Sequence, residues 1–123
     1  MENSLIIIQA RMSSKRLPGK VLKKLSGYPI IEWVYEAAKK VNFKKKIVIA
    51  TSNDSSDDIL VDWCKKKKII FFRGDLNNVL ERFVKVSNKI KSDYIIRLTA
   101  DCPFLDSKVI DQIVYLLNKK SVD

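Results

Sequence analysis

The chain has 123 residues, and its 24 Lys and Arg residues against 14 Asp and Glu residues give a formal net charge of +10. It has no histidine and only two cysteines, Cys64 and Cys102, which excludes His-based catalytic triads, imidazole metal sites, zinc clusters and a disulfide framework. A hydrophobic fraction of 46% with 31% charged residues predicts one globular domain over residues 1–123 and argues against disorder.

Four short apolar runs predict four buried strands. They are nearly continuous and rich in β-branched and aromatic residues, as expected of parallel strands covered on both faces. In chain order they occupy residues 5–8, 47–50, 69–72 and 94–96. The first run is too short for a secretory or membrane-spanning segment, so we expect no membrane partner. The two free thiols and the Lys-rich composition fit a reducing cytoplasm.

Helical patterns alternate with these strands. Apolar residues recur at i, i+3 and i+4 spacing within residues 30–41, 59–64, 79–86 and 109–117. Cap or first-turn residues precede or begin three of them: Pro29, then Ser55, Ser56, Asp57 and Asp58, then Asp106. The resulting β-α-β-α-β-α-β-α order predicts an α/β fold with a mainly parallel sheet, right-handed crossovers and helices on both faces.

The predicted strand order is 3-2-1-4. Strands 1 to 3 would wind outward in one direction, and strand 4 would return to the other side of strand 1. Ligands of such sheets bind at the carboxyl ends of the strands where the order reverses. Those ends are residues 9–11 after strand 1 and residues 99–101 after strand 4.

A basic segment follows strand 1. Residues 11–24 contain six cations and no acid. Arginines make forked contacts with phosphate oxygens, lysines act as point charges and serine hydroxyls add donors. The segment matches neither G-x-G-x-x-G nor a Walker loop, but a turn at Pro18-Gly19 would return Lys20 toward the crevice. Phosphate binding and a solvated basic loop both remain open from composition alone.

Other charged and thiol groups have simpler interpretations. The lysine runs at 44–46 and 65–68 adjoin helix ends, where the macrodipole favours cations, so we expect solvated helix ends rather than a nucleic-acid-binding patch. Asp101, just beyond strand 4, is either a Mg²⁺ ligand or a turn carboxylate. Asp106 is expected to be a helix cap and Cys102 a packing thiol.

Four segments carry a family resemblance: I-I-I-Q-A-R-M-S-S-K-R-L-P-G-K-V-L, A-T-S-N, F-F-R-G-D and R-L-T-A-D-C-P-F-L-D. They resemble the cytidylyltransferases that make CMP-activated sugars, in the spore-coat polysaccharide branch related to CMP-Kdo and CMP-sialic acid synthetases. The resemblance covers essentially the whole chain, and its A-R-x-x-S-x-R-L-P-G-K segment is highly specific. It implies the Rossmann-like nucleotide-diphospho-sugar transferase fold.

The resemblance also implies roles for individual residues. The nucleotide would contact Ala10, Arg11, Ser14, Arg16, Lys20, Thr51 and Ser52. Arg11, Lys20 and Asp101 would be catalytic, with Asp101 holding Mg²⁺. Arg73 and Arg82 would approach the acceptor sugar, although either could equally be a structural ion-pair partner. Asn78 departs from the branch, which commonly has Asp at this position, so no carboxylate is expected there.

The implied reaction is attack of a sugar hydroxyl on the α-phosphate of CTP, giving a CMP-sugar and pyrophosphate for surface polysaccharide biosynthesis. The partners would be CTP and an acidic or other sugar, with no nucleic acid, and a homodimer is one option for the assembly. Family members are longer, so residues 1–123 are expected to be the N-terminal half of the family's nucleotide-binding domain. Two alternatives stay open: a catalytically inactive truncated or assembly fragment, and a basic nucleic-acid-binding module.

Overall fold

The computed structural model describes residues 4–13, 19–42, 44–75, 84–86, 88–90, 92 and 94–100 of the chain. Its elements in chain order are β1 (Ser4–Gln9), β2 (Lys24–Leu25), β3 (Tyr28–Pro29), α1 (Ile30–Lys39), β4 (Lys45–Ser52), α2 (Asp58–Lys67), β5 (Phe71–Gly74) and β6 (Tyr94–Thr99). Short 3-10 turns at Lys20–Leu22 and Ser55–Asp57 precede β2 and α2. In the described part of the chain, no helix is long and apolar enough to cross a membrane. The helix expected at 109–117 lies outside the described residues.

The main sheet has four parallel strands in the order β5-β4-β1-β6. This order confirms the predicted arrangement 3-2-1-4. The central strand β1 pairs with β4 on one side and β6 on the other, so that Ile7 lies opposite both Val48 and Arg97. The direction of winding therefore reverses between β1 and β6.

Both faces of the sheet carry buried residues at the central strands β1 and β4, whereas Ile95, Arg97 and Thr99 of the edge strand β6 are exposed. The face that carries α1 and α2 buries Ile6, Ile8, Val34, Ala38, Ile49, Leu60 and Cys64. The opposite face buries Leu5, Ile7, Val48, Ala50 and Val86, the last from helical residues 84–86. Alternate residues of β1 thus enter two different cores, which explains why its apolar run is continuous. The prediction of helices on both faces is confirmed.

The third strand of the sheet, β5, begins two residues later than predicted, because of the way α2 ends. Lys68 adopts a left-handed backbone with φ +57°, and the N–H of Ile69 donates to the Cys64 carbonyl at 2.9 Å. This is a helix C-cap, and it uses the backbone of Ile69, so β5 begins at Phe71 rather than at residue 69. The lysine run 65–68 is exposed at the end of α2, as predicted, but Lys65, Lys66 and Lys67 form the last turn of the helix rather than following it.

A two-stranded hairpin, β2–β3, was not predicted. Its turn residues Ser26 and Gly27 have φ values of +50° and +88°, the left-handed pair that a tight hairpin requires. Trp33 of α1 donates from Nε1 to the Leu25 carbonyl at 2.8 Å and packs edge-to-face against Tyr28 with ring centroids 6.0 Å apart. These contacts hold the hairpin against α1.

Candidate functional site

The carboxyl ends of β4, β1 and β6 meet at one edge of the sheet. The N–H of Ala10 donates to the Ala50 carbonyl at 3.0 Å, and the N–H of Ala100 donates to the Gln9 carbonyl at 3.0 Å. Ala10 and Ala100 are both buried. The segments that follow β1 and β6 therefore start side by side, at the point where the strand order reverses.

The segment from Arg11 to Lys20, here called the basic loop, is closed at its base. The N–H of Gly19 donates to the Met12 carbonyl at 2.8 Å, which brings the end of the loop back to its beginning. Gly19 has φ +73°, and a Cβ there would lie 3.4 Å from Cε of Met12. Lys20 follows directly and begins the next turn. The basic loop therefore ends close to where it begins, while Pro18 of the predicted turn lies outside the described residues.

The base of the basic loop is bound to the segment that follows β4 through Asp57. The Met12 N–H donates to Oδ1 of Asp57 at 2.6 Å, and the Ser52 hydroxyl donates to Oδ2. The Asp57 side chain is fully buried. The sequence pattern places Asp57 only at the start of a helix, and residue type does not separate it from its neighbour Asp58, which is exposed.

The predicted nucleotide-binding residues within the described part of the chain lie at this edge but differ in exposure. Arg11 is exposed and Lys20 half-buried, whereas Ala10 is buried at the start of the basic loop. Thr51 and Ser52, at the end of β4, are fully buried. The Ser52 hydroxyl is taken by Asp57, and the Thr51 hydroxyl has no hydrogen-bond partner among the described residues. Contact of these residues with a nucleotide stays a prediction.

Arg73 braces the segment between β4 and α2. Its Nε donates to the Ser52 carbonyl at 2.7 Å, and one terminal nitrogen reaches both the Asp54 carbonyl and Oδ1 of Asp58 at 2.9 Å. Its side chain is 25% exposed, while that of Asp58 is 62% exposed. The structure thus gives Arg73 an ion pair and two backbone contacts. Its predicted approach to a sugar remains a prediction.

The other predicted site residues, Ser14, Arg16, Arg82 and Asp101, lie outside the described residues, as do Asn78, Cys102 and Asp106. Within the described ranges, no three His, Cys, Asp or Glu side chains come together as a metal site. The Mg²⁺ prediction consequently depends on Asp101.

Two titratable groups, Asp54 beside the site and Cys64 within α2, have shifted pKa values. Hydrogen bonds from the Ser56 hydroxyl and the Ser56 N–H, with a smaller contribution from the Arg73 charge, lower the pKa of the exposed Asp54 carboxyl. Burial raises the pKa of the Cys64 thiol to about 11. A thiol with that pKa is almost fully protonated at neutral pH, so Cys64 is a packing residue of α2 rather than a nucleophile.

Comparisons with known proteins agree with this architecture. A family model described as Cytidylyltransferase matches residues 5–123. The spore coat polysaccharide biosynthesis protein SpsF of Bacillus subtilis (strain 168) is 43% identical over 118 residues, covering 93% of this chain and 49% of SpsF. A 3-deoxy-manno-octulosonate cytidylyltransferase of Acaryochloris marina is 33% identical over 113 residues, covering 91% of this chain and 45% of that protein.

A solved structure of a cytidylyltransferase is also similar to this chain in fold and sequence. A cytidylyltransferase from Leptospira borgpetersenii serovar Hardjo-bovis superposes with a TM-score of 0.85 at 36% sequence identity, covering 92% of this chain and 48% of that one. The chain therefore spans about half the length of the relatives it matches.

Proposed function

The chain belongs to the cytidylyltransferase family, and we propose that its basic loop binds the triphosphate of CTP for transfer of CMP to a sugar. One observation carries the proposal. The Met12–Gly19 hydrogen bond holds the two ends of the basic loop together near the carboxyl end of β1, next to the point where the strand order reverses. Phosphate-binding segments of doubly wound folds occur at this position.

In the proposed reaction, the oxygen of a sugar hydroxyl bonds to the α-phosphorus of CTP. The bond from that phosphorus to the bridging oxygen breaks, pyrophosphate leaves with the electron pair, and the hydroxyl proton passes to solvent. Arg11 and Lys20 would hold the triphosphate and offset the charge that gathers on the leaving pyrophosphate. Ser14 and Arg16 would add donors, and Thr51 and Ser52 would lie toward the base or ribose. The protein acts mainly by positioning and charge neutralisation.

We further propose that Asp101 holds Mg²⁺, which would offset triphosphate charge when bound. Carboxylate oxygens are ligands that suit this cation. The Ala100 N–H is bound to the Gln9 carbonyl, so Asp101 follows directly on a residue held beside the start of the basic loop. This proximity along the backbone supports the assignment.

The sugar and the place of the reaction belong to the proposal as well. The name of SpsF refers to spore coat polysaccharide, and another relative is named for 3-deoxy-manno-octulosonate, an acidic sugar. We propose an acidic or other sugar of surface polysaccharides as the acceptor, approached by Arg73 and Arg82, in a cytoplasmic reaction. Residues 1–123 would form the nucleotide-binding domain, or its N-terminal half, and a homodimer remains an option for the assembly.

Isothermal titration calorimetry with CTP and Mg²⁺ tests the proposal. Arg11→Ala and Lys20→Ala should each weaken binding about ten-fold or more, since each removes a charge-assisted contact with phosphate. Lys66→Ala is the matched control, because it removes the same charge from the last turn of α2, at the amino edge of the sheet. A folded wild-type chain without affinity for CTP, or equal losses in all three variants, would contradict the proposal.

The half-length match favours one alternative, a fragment of the family that binds CTP without turning it over. Release of pyrophosphate from CTP with a panel of acidic sugars separates the two: turnover identifies an enzyme, and binding without turnover identifies the fragment. A nucleic-acid-binding module would instead bind duplexes broadly with a steep salt dependence.

A further inference from the structure

We propose that Asp57 is the positioning residue of the basic loop, holding its base in the shape that receives phosphate. This inference rests on the proposed function. Asp57 joins two segments that leave the sheet from neighbouring strands: the Met12 N–H comes from the segment after β1, and Ser52 ends β4. The Met12–Asp57 bond spans 45 positions of sequence.

The position of Asp57 is well defined, because its own segment is braced from a third strand. Arg73 of β5 holds the carbonyls of Ser52 and Asp54 and the carboxylate of Asp58. The Asp57 N–H donates to the Asp54 carbonyl at 3.0 Å, which closes the 3-10 turn. The contacts therefore run without interruption from β5 through the β4–α2 segment to Met12.

The role of Asp57 follows from what its oxygens contact. A buried carboxylate is costly unless donors surround it. Here one oxygen receives the Met12 N–H and the other receives the Ser52 hydroxyl, so both are occupied by groups of the protein itself. A negative charge beside a phosphate-binding segment would oppose anion binding, so Asp57 contributes geometry rather than charge.

The consequence for the basic loop concerns Met12. Its N–H is held by Asp57 and its carbonyl by the Gly19 N–H, so both backbone groups of one residue are fixed at the base of the loop. Among the hydrogen bonds of the described residues, only the bond to Asp57 joins Met12 to the segment after β4. Without Asp57 that connection is lost. The basic loop would then start from a less defined position, and its cations would meet phosphate less often in the productive arrangement.

Two substitutions at Asp57, made in the full chain, distinguish geometry from charge. Asp57→Ala removes both acceptors, and we expect CTP to bind at least ten-fold more weakly by calorimetry. Asp57→Asn keeps an acceptor for the Met12 N–H and can donate to Ser52, so binding should stay within about threefold of wild type. Asp62→Asn, which neutralises an exposed carboxylate on α2, is the matched control. If Asp57→Ala does not fold, Asp57→Ser replaces it, since its short hydroxyl cannot span the gap to Met12.

Amide hydrogen exchange of Met12, followed by NMR, reports on the anchor without any nucleotide. In Asp57→Ala the Met12 amide should exchange at least ten-fold faster, while the amides of Ile6 and Ile8 in the central strand keep their wild-type rates. Unchanged CTP affinity in Asp57→Ala, equal losses in Asp57→Ala and Asp57→Asn, or an unchanged Met12 amide would each overturn the inference. A wild-type chain that binds no CTP would instead overturn the proposed function. The exchange rate of the Met12 amide in Asp57→Ala would then be the test of whether Asp57 fixes the base of the loop.

Discussion

Nε of Arg97 donates a hydrogen bond to Oε1 of Gln9 at 2.7 Å, across 88 positions of sequence. Gln9 ends β1 and is 8% exposed, whereas Arg97 is an exposed residue of β6. In the strand register Gln9 lies opposite Thr99, so the contact runs diagonally between the strands. It ties β6 to β1 next to Ala10, on the side of β1 where the winding of the sheet reverses.

Arg97→Met should lower the free energy of unfolding by about 1–2 kcal/mol, because Gln9 loses a charged donor at a nearly buried oxygen. The measurement is urea denaturation followed by far-ultraviolet circular dichroism. Lys46→Met removes the same charge from an exposed position of β4 and should change stability little. Equal effects of the two substitutions would show that the bond to Gln9 contributes nothing specific.

A pair of glycine substitutions should separate the stability of the fold from nucleotide binding. Gly19 and Gly27 both have left-handed backbones, with φ +73° and +88°, so alanine at either should destabilise by about 1–2 kcal/mol. Only Gly19→Ala should also weaken CTP binding, since the left-handed backbone of Gly19 closes the basic loop through its bond to Met12. The measurements are urea denaturation and calorimetry. The prediction fails if Gly27→Ala weakens CTP binding as strongly.

The buried thiol of Cys64 should make stability depend on pH in alkaline solution. Its pKa is raised to about 11 in the folded chain, from an ordinary value of 9.0. The folded state therefore retains a proton that the unfolded state loses, so this contribution to stability is complete below pH 9 and is lost as the pH rises toward 11. Denaturation curves between pH 8 and 11, recorded in a Cys102→Ala background, measure it. Cys64→Ala in that background should show a flatter dependence, and parallel profiles would argue against the assignment.

Ser56→Ala should raise the pKa of Asp54, because the Ser56 hydroxyl is the largest cause of its lowered value. The lowered pKa stabilises the fold above the ordinary value of 3.8, and that contribution disappears as the pH falls through the folded pKa. Titration of the Asp54 carboxyl carbon by NMR gives the measurement. Ser55→Ala, the neighbouring exposed position, should leave the titration unchanged. An unshifted Asp54 in Ser56→Ala would contradict the hydrogen-bond explanation.

The sheet was predictable because burial on both faces imposes a simple sequence pattern. Strands β1 and β4 require continuous apolar runs, and the alternating helical patterns indicate parallel strands joined by right-handed crossovers. The observed order matches the expectation that the first three strands wind outward and the fourth returns beside the first. The hairpin β2–β3 has strands of two residues each, too short for any periodicity. The start of β5 was misplaced because Ile69, which is apolar like a strand residue, serves the C-cap of α2.

The site was predictable only in part. The density of cations and the position after β1 pointed to the basic loop, because charge can be counted from the sequence. The role of Asp57 could not be predicted from the sequence, since it depends on a contact with Met12 that exists only once β1 and β4 lie side by side. Asp57 and Asp58 are identical in type and adjacent in sequence, yet one is buried and the other exposed.

The hydrogen bond between Met12 and Gly19 also bears on which parts of the sequence of this protein can be exchanged. Because the Gly19 N–H is bound to the Met12 carbonyl, we expect that exchanging the sequence between these two residues leaves the main sheet unaltered. Transplanting residues 13–18 from a relative is therefore expected to change ligand preference while the host keeps its stability. Evolution and protein engineering can vary what this fold recognises at that one segment, provided that Met12, Gly19 and Asp57 are kept.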